Sequence, residues 1–249
     1  MDDDGQQRRT PFAGSTGAGV RIAVIDSGVH PDHPHIRADR LHPGIAILPN
    51  GTTDEGSEDR LGHGTAVMAA IQEKAPDALC LPVRVFHDAL RTSATGLIAA
   101  IDWSVAQGVD IINLSLGSTN AAHAVAFADA AGRATQAGVV LVAAACDAEG
   151  APCYPGSLPD VLGVEVDWHC PRGRYHWSQT EGQGGILRFH ASGYPRPIPG
   201  VPQRRNLYGV SFAVAQMTGF AARAMGTLDA KVDASRNGLV RHAMMQATA

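Results

Sequence analysis

The chain has 249 residues, carries a formal net charge of −4 and is 45% hydrophobic. That length accommodates one sizeable α/β domain with a real core. The slight acidity excludes nucleic-acid binding by bulk electrostatics, and no apolar run reaches the roughly 18 residues that a bilayer span needs. Cys80, Cys146, Cys153 and Cys170 are scattered, with no C-x-x-C spacing. They do not make a disulfide scaffold, so a reducing, cytoplasmic setting is the default expectation. The opening MDDDGQQRRTPFAG is acidic and lacks an apolar stretch, so it does not read as a secretory signal.

Residues 1–19 read as a flexible N-terminal arm, and residues 20–249 as a single catalytic-sized domain. The glycines of Gly14-Ser-Thr-Gly17-Ala-Gly19 precede a strand instead of following one, which is the wrong order for a dinucleotide-binding loop. Arg21–Ile25 is a continuously apolar strand of the parallel-sheet kind, and it ends in Asp26-Ser27-Gly28. His30, His33 and His35 follow, interrupted by prolines; their irregular spacing does not fit a regular zinc site. Residues 37–61 read as loop with little strand, closing on the acidic, polar run Thr52–Arg60. A helix opens at Gly62-His63-Gly64-Thr65.

Leu79–Val85 is the next strand, and Ala94–Gln107 an amphipathic helix with Leu97, Ile98, Ile101 and Val105 on one face. Val109–Leu114 is a buried strand followed by Ser115-Leu116-Gly117. A helix is expected over Ala121–Ala137, and strands over Val139–Ala145, Val161–Val166 and Ile186–Ala191. A long Ala/Met/Phe-rich helix runs from Phe212 to Met225, with Ser211 at its N-terminus, where free N–H groups favour negative charge. The last stretch, Asp229–Ala249, reads as a closing amphipathic helix around Leu239, Val240, Ala243 and Met244, packed on the core or facing a partner. Alternating strands and helices predict a parallel, doubly wound sheet.

Three Gly-flanked motifs stand in the order Asp26, His63, Ser211. Each alone reads more readily as a turn, a structural histidine or a helix cap. Together they hold what acyl transfer requires: a hydroxyl to attack, an imidazole to take its proton, and a carboxylate to orient that imidazole. This order of Asp, His and Ser is that of subtilisin. From about Val20 to Met225 the sequence resembles the subtilisin-like serine proteases. Ala23-Val-Ile-Asp26-Ser-Gly28 with His33-Pro34, the stretch Val109–Gly117, Val139–Ala145 and Tyr154-Pro-Gly156 carry the likeness further. The resemblance implies a three-layer α/β/α sandwich and endopeptidase cleavage through an acyl-enzyme, with no cofactor and no metal in the chemistry. It also implies an extended peptide or protein substrate, paired with Ser115, Leu116 and Gly117 by strand addition. Leu90-Arg91-Thr92 would sit across from that strand. The state of oligomerisation is not readable.

Departures from the family pattern shape the expectations. Cys146-Asp147 stands where the family has Gly-Asn, whose amide donates to the oxyanion. An ionised Asp147 would repel the developing charge, whereas a protonated one would donate to it. The family includes processing proteases with Asp at this place, and turnover needing neutral His63 with protonated Asp147 would give a narrow, acid-shifted bell. Cys146 and Cys153 replace glycines near the primary specificity pocket. They are expected to narrow it, to pair as a disulfide, or to act as buried thiols. The family's calcium loop after His63 is missing, so no calcium is expected there. These features lead to a specialised processing protease. The alternatives are a pseudoprotease that binds an extended peptide without cutting it, and a metal hydrolase using His30, His33 and His35.

Overall fold

A computed structural model describes residues 10–180, 185–228, 233 and 235–248. Its described strands are β1 (Arg21–Asp26), β2 (Ile45–Ile47), β3 (Thr53–Asp54), β4 (Leu79–Arg84), β5 (Ile111–Leu114), β6 (Val140–Ala144), β7 (Leu162–Val166), β8 (Tyr175–Gln179) and β9 (Leu187–Ala191). They form one sheet in the order β3-β2-β4-β1-β5-β6-β7-β9-β8. Every pairing is parallel except β2 with β3 and β8 with β9, at the two edges. The helices are α1 (His63–Lys74), α2 (Ala94–Ala106), α3 (Ala124–Gln136), α4 (Val210–Met225) and α5 (Arg236–Gln246).

The central strands are apolar on both faces because helices cover both. Ile22 and Val24 of β1 and Val140 and Val142 of β6 pack with Val67 and Met68 of α1 and with Phe212 and Phe220 of α4. The alternate residues, Ala23, Ile25, Leu141 and Ala143, meet Leu97 and Ile101 of α2 and Phe127 and Ala130 of α3. A period of two thus sorts one run of residues into two cores, and the result is the three-layer α/β/α sandwich expected from the sequence.

The topology places a crevice. β1 lies between β4 and β5, so the chain first extends the sheet to one side of β1 and then crosses to the other. Open α/β sheets bind ligands at such a switch point, beyond the carboxyl ends of the strands. Asp26 ends β1 there, and Ser115 follows β5. Helices α1 and α4 lie side by side and run in the same direction. The Phe212 ring is 5.8 Å from the His63 ring at one end, and Gly219 backs onto Lys74 at the other. Their N-termini therefore meet above the crevice.

Two expectations need correction. The part of the arm that is described, from Thr10, is fastened to the domain: Ser15 Oγ donates to the Arg223 carbonyl (2.7 Å), Arg223 donates to the Phe12 carbonyl (2.8 Å), and Asp77 N–H donates to Thr16 (3.1 Å). Phe12 packs on the core, and this apolar contact outweighs the polar, Gly-rich composition; residues 1–9 lie outside the described residues. Second, β8 was not expected. It is an edge strand with only Tyr175 buried, so it lacks the apolar alternation that marks a strand. The closing helix packs on the core through Val240 and Met244, and the Tyr175 hydroxyl donates to the Met244 carbonyl. Of its surrounding stretch, residues 229–232, 234 and 249 lie outside the described residues.

Candidate active site

Asp26, His63 and Ser211 reach the crevice from three elements: the end of β1, the first turn of α1 and the first turn of α4. Asp26 is completely buried, and its Oδ1 lies 2.7 Å from His63 Nδ1 while also accepting the Ser27 N–H at 2.7 Å. Among the described residues, its buried Oδ2 has no hydrogen-bond partner, so the imidazole is the one side chain bonded to this carboxylate. The approach of α1 to β1 depends on Gly64, because a Cβ there would run into the backbone of Gly28 and Ser27.

Burial alone would lower the pKa of His63. The hydrogen bond and charge of Asp26, helped by the charge of Asp59, outweigh it and hold the imidazole above its ordinary value. A base raised in this way is neutral only on the alkaline side of the ordinary histidine range. Ser211 is 7% exposed, and its hydroxyl donates to the Ser115 carbonyl over a long 3.4 Å. That weak bond is readily exchanged, and free enzymes commonly show loose catalytic hydrogen bonds that tighten with substrate. The ring of Phe212, the next residue, adjoins the His63 ring, which brings the first turns of α4 and α1 together.

The stretch expected to hold substrate follows β5. Ser115 is buried, Leu116 and Gly117 are half-buried, and Ser118 pairs with Tyr154 through two 2.9 Å backbone bonds. Beneath it runs a buried polar chain. Thr218 Oγ1 donates to Asn113 Oδ1 (2.9 Å), and Asn113 Nδ2 donates to Ser115 Oγ (3.0 Å). Cys153 abuts Gly117. Leu90 and Arg91 lie exposed in the loop between β4 and α2.

Cys146 and Cys153 are free thiols, so the expected option of a disulfide is corrected. Burial, then neighbouring negative charge, raises both, with Cys153 pushed up to about 11. Both shifts disfavour the thiolate, the reactive form of cysteine. Asp147 is half-buried, and its Oδ1 accepts the N–H groups of Glu149 (3.0 Å) and Ala151 (2.8 Å). One carboxylate oxygen is thus an acceptor within a tight turn, and only the other is left to face a substrate.

The three histidines of the metal alternative lie beside the start of the His63 helix. His30, His33 and His35 line an apolar cavity of about 200 Å³ with Gly62, Thr65 and Leu207. His33 Nδ1 accepts the His35 N–H at 3.1 Å, which turns the ring inward on its own loop. Sequence reasoning missed Asp59, whose buried carboxylate gathers five donors around the site. It sits in an acidic run with Asp54, Glu55 and Glu58, and composition does not tell which of these folds inward.

The crevice at the switch point of a mainly parallel sheet thus holds a buried Asp–His pair and a helix-borne serine. The subtilase family profile matches residues 17–166, and the chain belongs to that family. Subtilisin-like protease SBT6.1 of Arabidopsis thaliana is 28% identical over 94% of this chain. The match spans only part of such curated relatives, 23% of the length of this one and 42% of subtilisin E of Bacillus subtilis. A cold-adapted subtilisin-like serine proteinase shares the fold with a TM-score of 0.68 at 23% identity, covering 92% of this chain and 82% of that one. A lanthipeptide protease does so with a TM-score of 0.67 at 19% identity, covering 91% and 79%.

Proposed function

We propose that this chain is a serine endopeptidase with a narrow, processing role. The observation that carries the reading is the buried 2.7 Å contact between Asp26 and His63, with Ser211 in the first turn of the adjoining helix α4. Ser211 Oγ attacks the scissile carbonyl carbon while His63 takes the hydroxyl proton. The tetrahedral intermediate collapses as His63 passes that proton to the departing amine, leaving an acyl-serine. Water then attacks, again giving a proton to His63, and the intermediate breaks to a carboxylic acid and free Ser211. Asp26 holds the Nδ1–H tautomer and stabilises the imidazolium at each step.

N–H groups at the start of α4 support the oxyanion. Asp147 stands where the family's oxyanion donor is expected, and its Oδ1 accepts two backbone N–H groups, which supports a slow enzyme. Ser115, Leu116 and Gly117 would pair with an extended substrate, with Arg91 across from them and Cys146 and Cys153 limiting the side chain before the cut. Exposed apolar side chains near the site support selectivity: Leu90 on one loop, and Leu207 and Tyr208 just before Ser211. The name of the lanthipeptide protease likewise specifies one class of substrate. The cysteine usage supports a reducing, cytoplasmic setting.

Mapping cleavage of a peptide library, with Ser211→Ala as control, tests the reading: a few related sites are expected. Indiscriminate cutting would remove the processing role. A second reading, a pseudoprotease that holds an extended peptide, is favoured by the engagement of Asp147 Oδ1 in its turn. Peptide binding without any cleavage would favour it.

A further inference from the structure

Helix α1 carries the candidate base, yet nothing at its own N-terminus caps it. The residue before His63 is Gly62, which has no side chain. Helix starts leave backbone N–H groups that must find acceptors when buried. Here the acceptors come from elsewhere. Asp59 is 2% exposed, and its Oδ1 accepts from Leu61 N–H and Gly62 N–H (2.9 Å each) and from the Ser27 hydroxyl (2.8 Å). Its Oδ2 accepts from Thr65 N–H (2.9 Å) and the Thr65 hydroxyl (2.6 Å). Ser27 Oγ in turn accepts Gly64 N–H at 2.8 Å, and Thr65 Oγ1 accepts His30 N–H at 3.0 Å.

The network closes a ring. Ser27 follows Asp26 and donates its N–H to that carboxylate; Gly62 and Gly64 flank His63. We propose that Asp59 is a positioning residue for the candidate triad, fixing the end of β1 to the first turn of α1 so that Asp26 and His63 meet at hydrogen-bonding distance. A single side chain thereby sets both ends of the Asp–His bond. Burial would raise the carboxyl, but the hydrogen bonds from Thr65, Leu61 and Ser27 hold it below the usual carboxylate range. It is therefore ionised at neutral pH. The charged groups acting on the His63 imidazole are Asp26 and Asp59; the Phe212 ring faces it from α4.

The proposal rests on the serine-protease reading for its kinetic consequences only, because the geometry is measurable without turnover. In Asp59→Asn one oxygen can still serve Ser27, Leu61 and Gly62, but the amide NH2 would face the Thr65 N–H, donor against donor. The test is an NMR titration of the His63 imidazole in wild type and Asp59→Asn, with fluorophosphonate labelling rates from pH 5 to 9. The imidazole is expected to titrate at lower pH in the variant, and labelling to slow about 10- to 100-fold with its acid limb shifted the same way. Thr65→Val serves as a second variant if Asp59→Asn does not fold. It keeps the charge and removes one hydroxyl donor, so a smaller loss with little shift of the limb is expected. A folded Asp59→Asn that titrates and labels like wild type, with only its melting temperature lowered, would reduce Asp59 to a structural residue. Likewise, Thr65→Val labelling at the wild-type rate would overturn the positioning role. If wild type itself does not label, the protease reading fails, and the titration still decides the role of Asp59.

Discussion

Replacing Asp26 by Asn tests the reasoning about the buried pair most sharply, because the structure dictates how the amide must sit. Oδ1 accepts both the His63 Nδ1–H and the Ser27 N–H at 2.7 Å. An amide oxygen fits that place, whereas an NH2 would oppose two donors at once. The Nδ1–H tautomer is therefore kept in Asp26→Asn, and what is lost is the charge. For an imidazolium about 4 Å from a carboxylate, in the partly screened interior of a protein, that charge is worth about 4 kcal/mol. Removing it from the transition state slows catalysis roughly 10³-fold. This is less than the roughly 10⁴-fold loss measured in trypsin, where the same kind of change left the wrong tautomer. The second consequence concerns pH. Asp26 is the main source of the upward shift of His63, so the acid limb of kcat/KM must move to lower pH in the variant. The assay is hydrolysis of a fluorogenic peptide across pH 5–9, normalised to folded protein. A loss below tenfold, or a limb that moves upward, would refute the argument.

Further outcomes follow from single contacts. Asp147→Asn preserves the turn, since an amide oxygen can accept from Glu149 and Ala151, and it places an NH2 where the second carboxylate oxygen was. The rate is expected to rise by up to about 10²–10³, a range measured for a subtilisin oxyanion-hole asparagine and carried over here. An unchanged rate would remove this residue from the oxyanion site. Gly64→Ala drives a methyl group into the backbone of Gly28 and Ser27, and is expected to cost about 1–3 kcal/mol. Thermal melting should show a drop of roughly 3–10 °C; an unaltered melt would contradict the close approach of α1 to β1.

Much of this architecture could be read before any coordinates were available, for a definite reason. Strands such as the Ile22–Ile25 part of β1 and Val140–Ala144 are buried on both faces, so they appear as uninterrupted apolar runs. The triad was legible because each member lies in a short motif whose order is specific. What escaped depends on contacts between distant segments. β8 is an exposed edge strand with the polar sequence YHWSQ, and its pairing to β9 leaves no periodic trace. Phe12 and Ser15 are held by Arg223, more than 200 positions away. Asp59 is one of several acids in its loop, and only the fold turns it towards Ser27 and Thr65. For Asp147 the sequence marks the missing amide but not the turn that occupies one of its oxygens.

The central claim is that Ser211 is an activated nucleophile served by His63. Fluorophosphonate labelling of wild type and Ser211→Ala over pH 5–9 tests it most directly. The account predicts a covalent adduct on wild type alone, forming faster as pH rises through a limb above the ordinary histidine value of about 6.5. Folded wild-type protein that stays unlabelled at every pH would contradict it, and would leave a domain that holds peptides without cutting them.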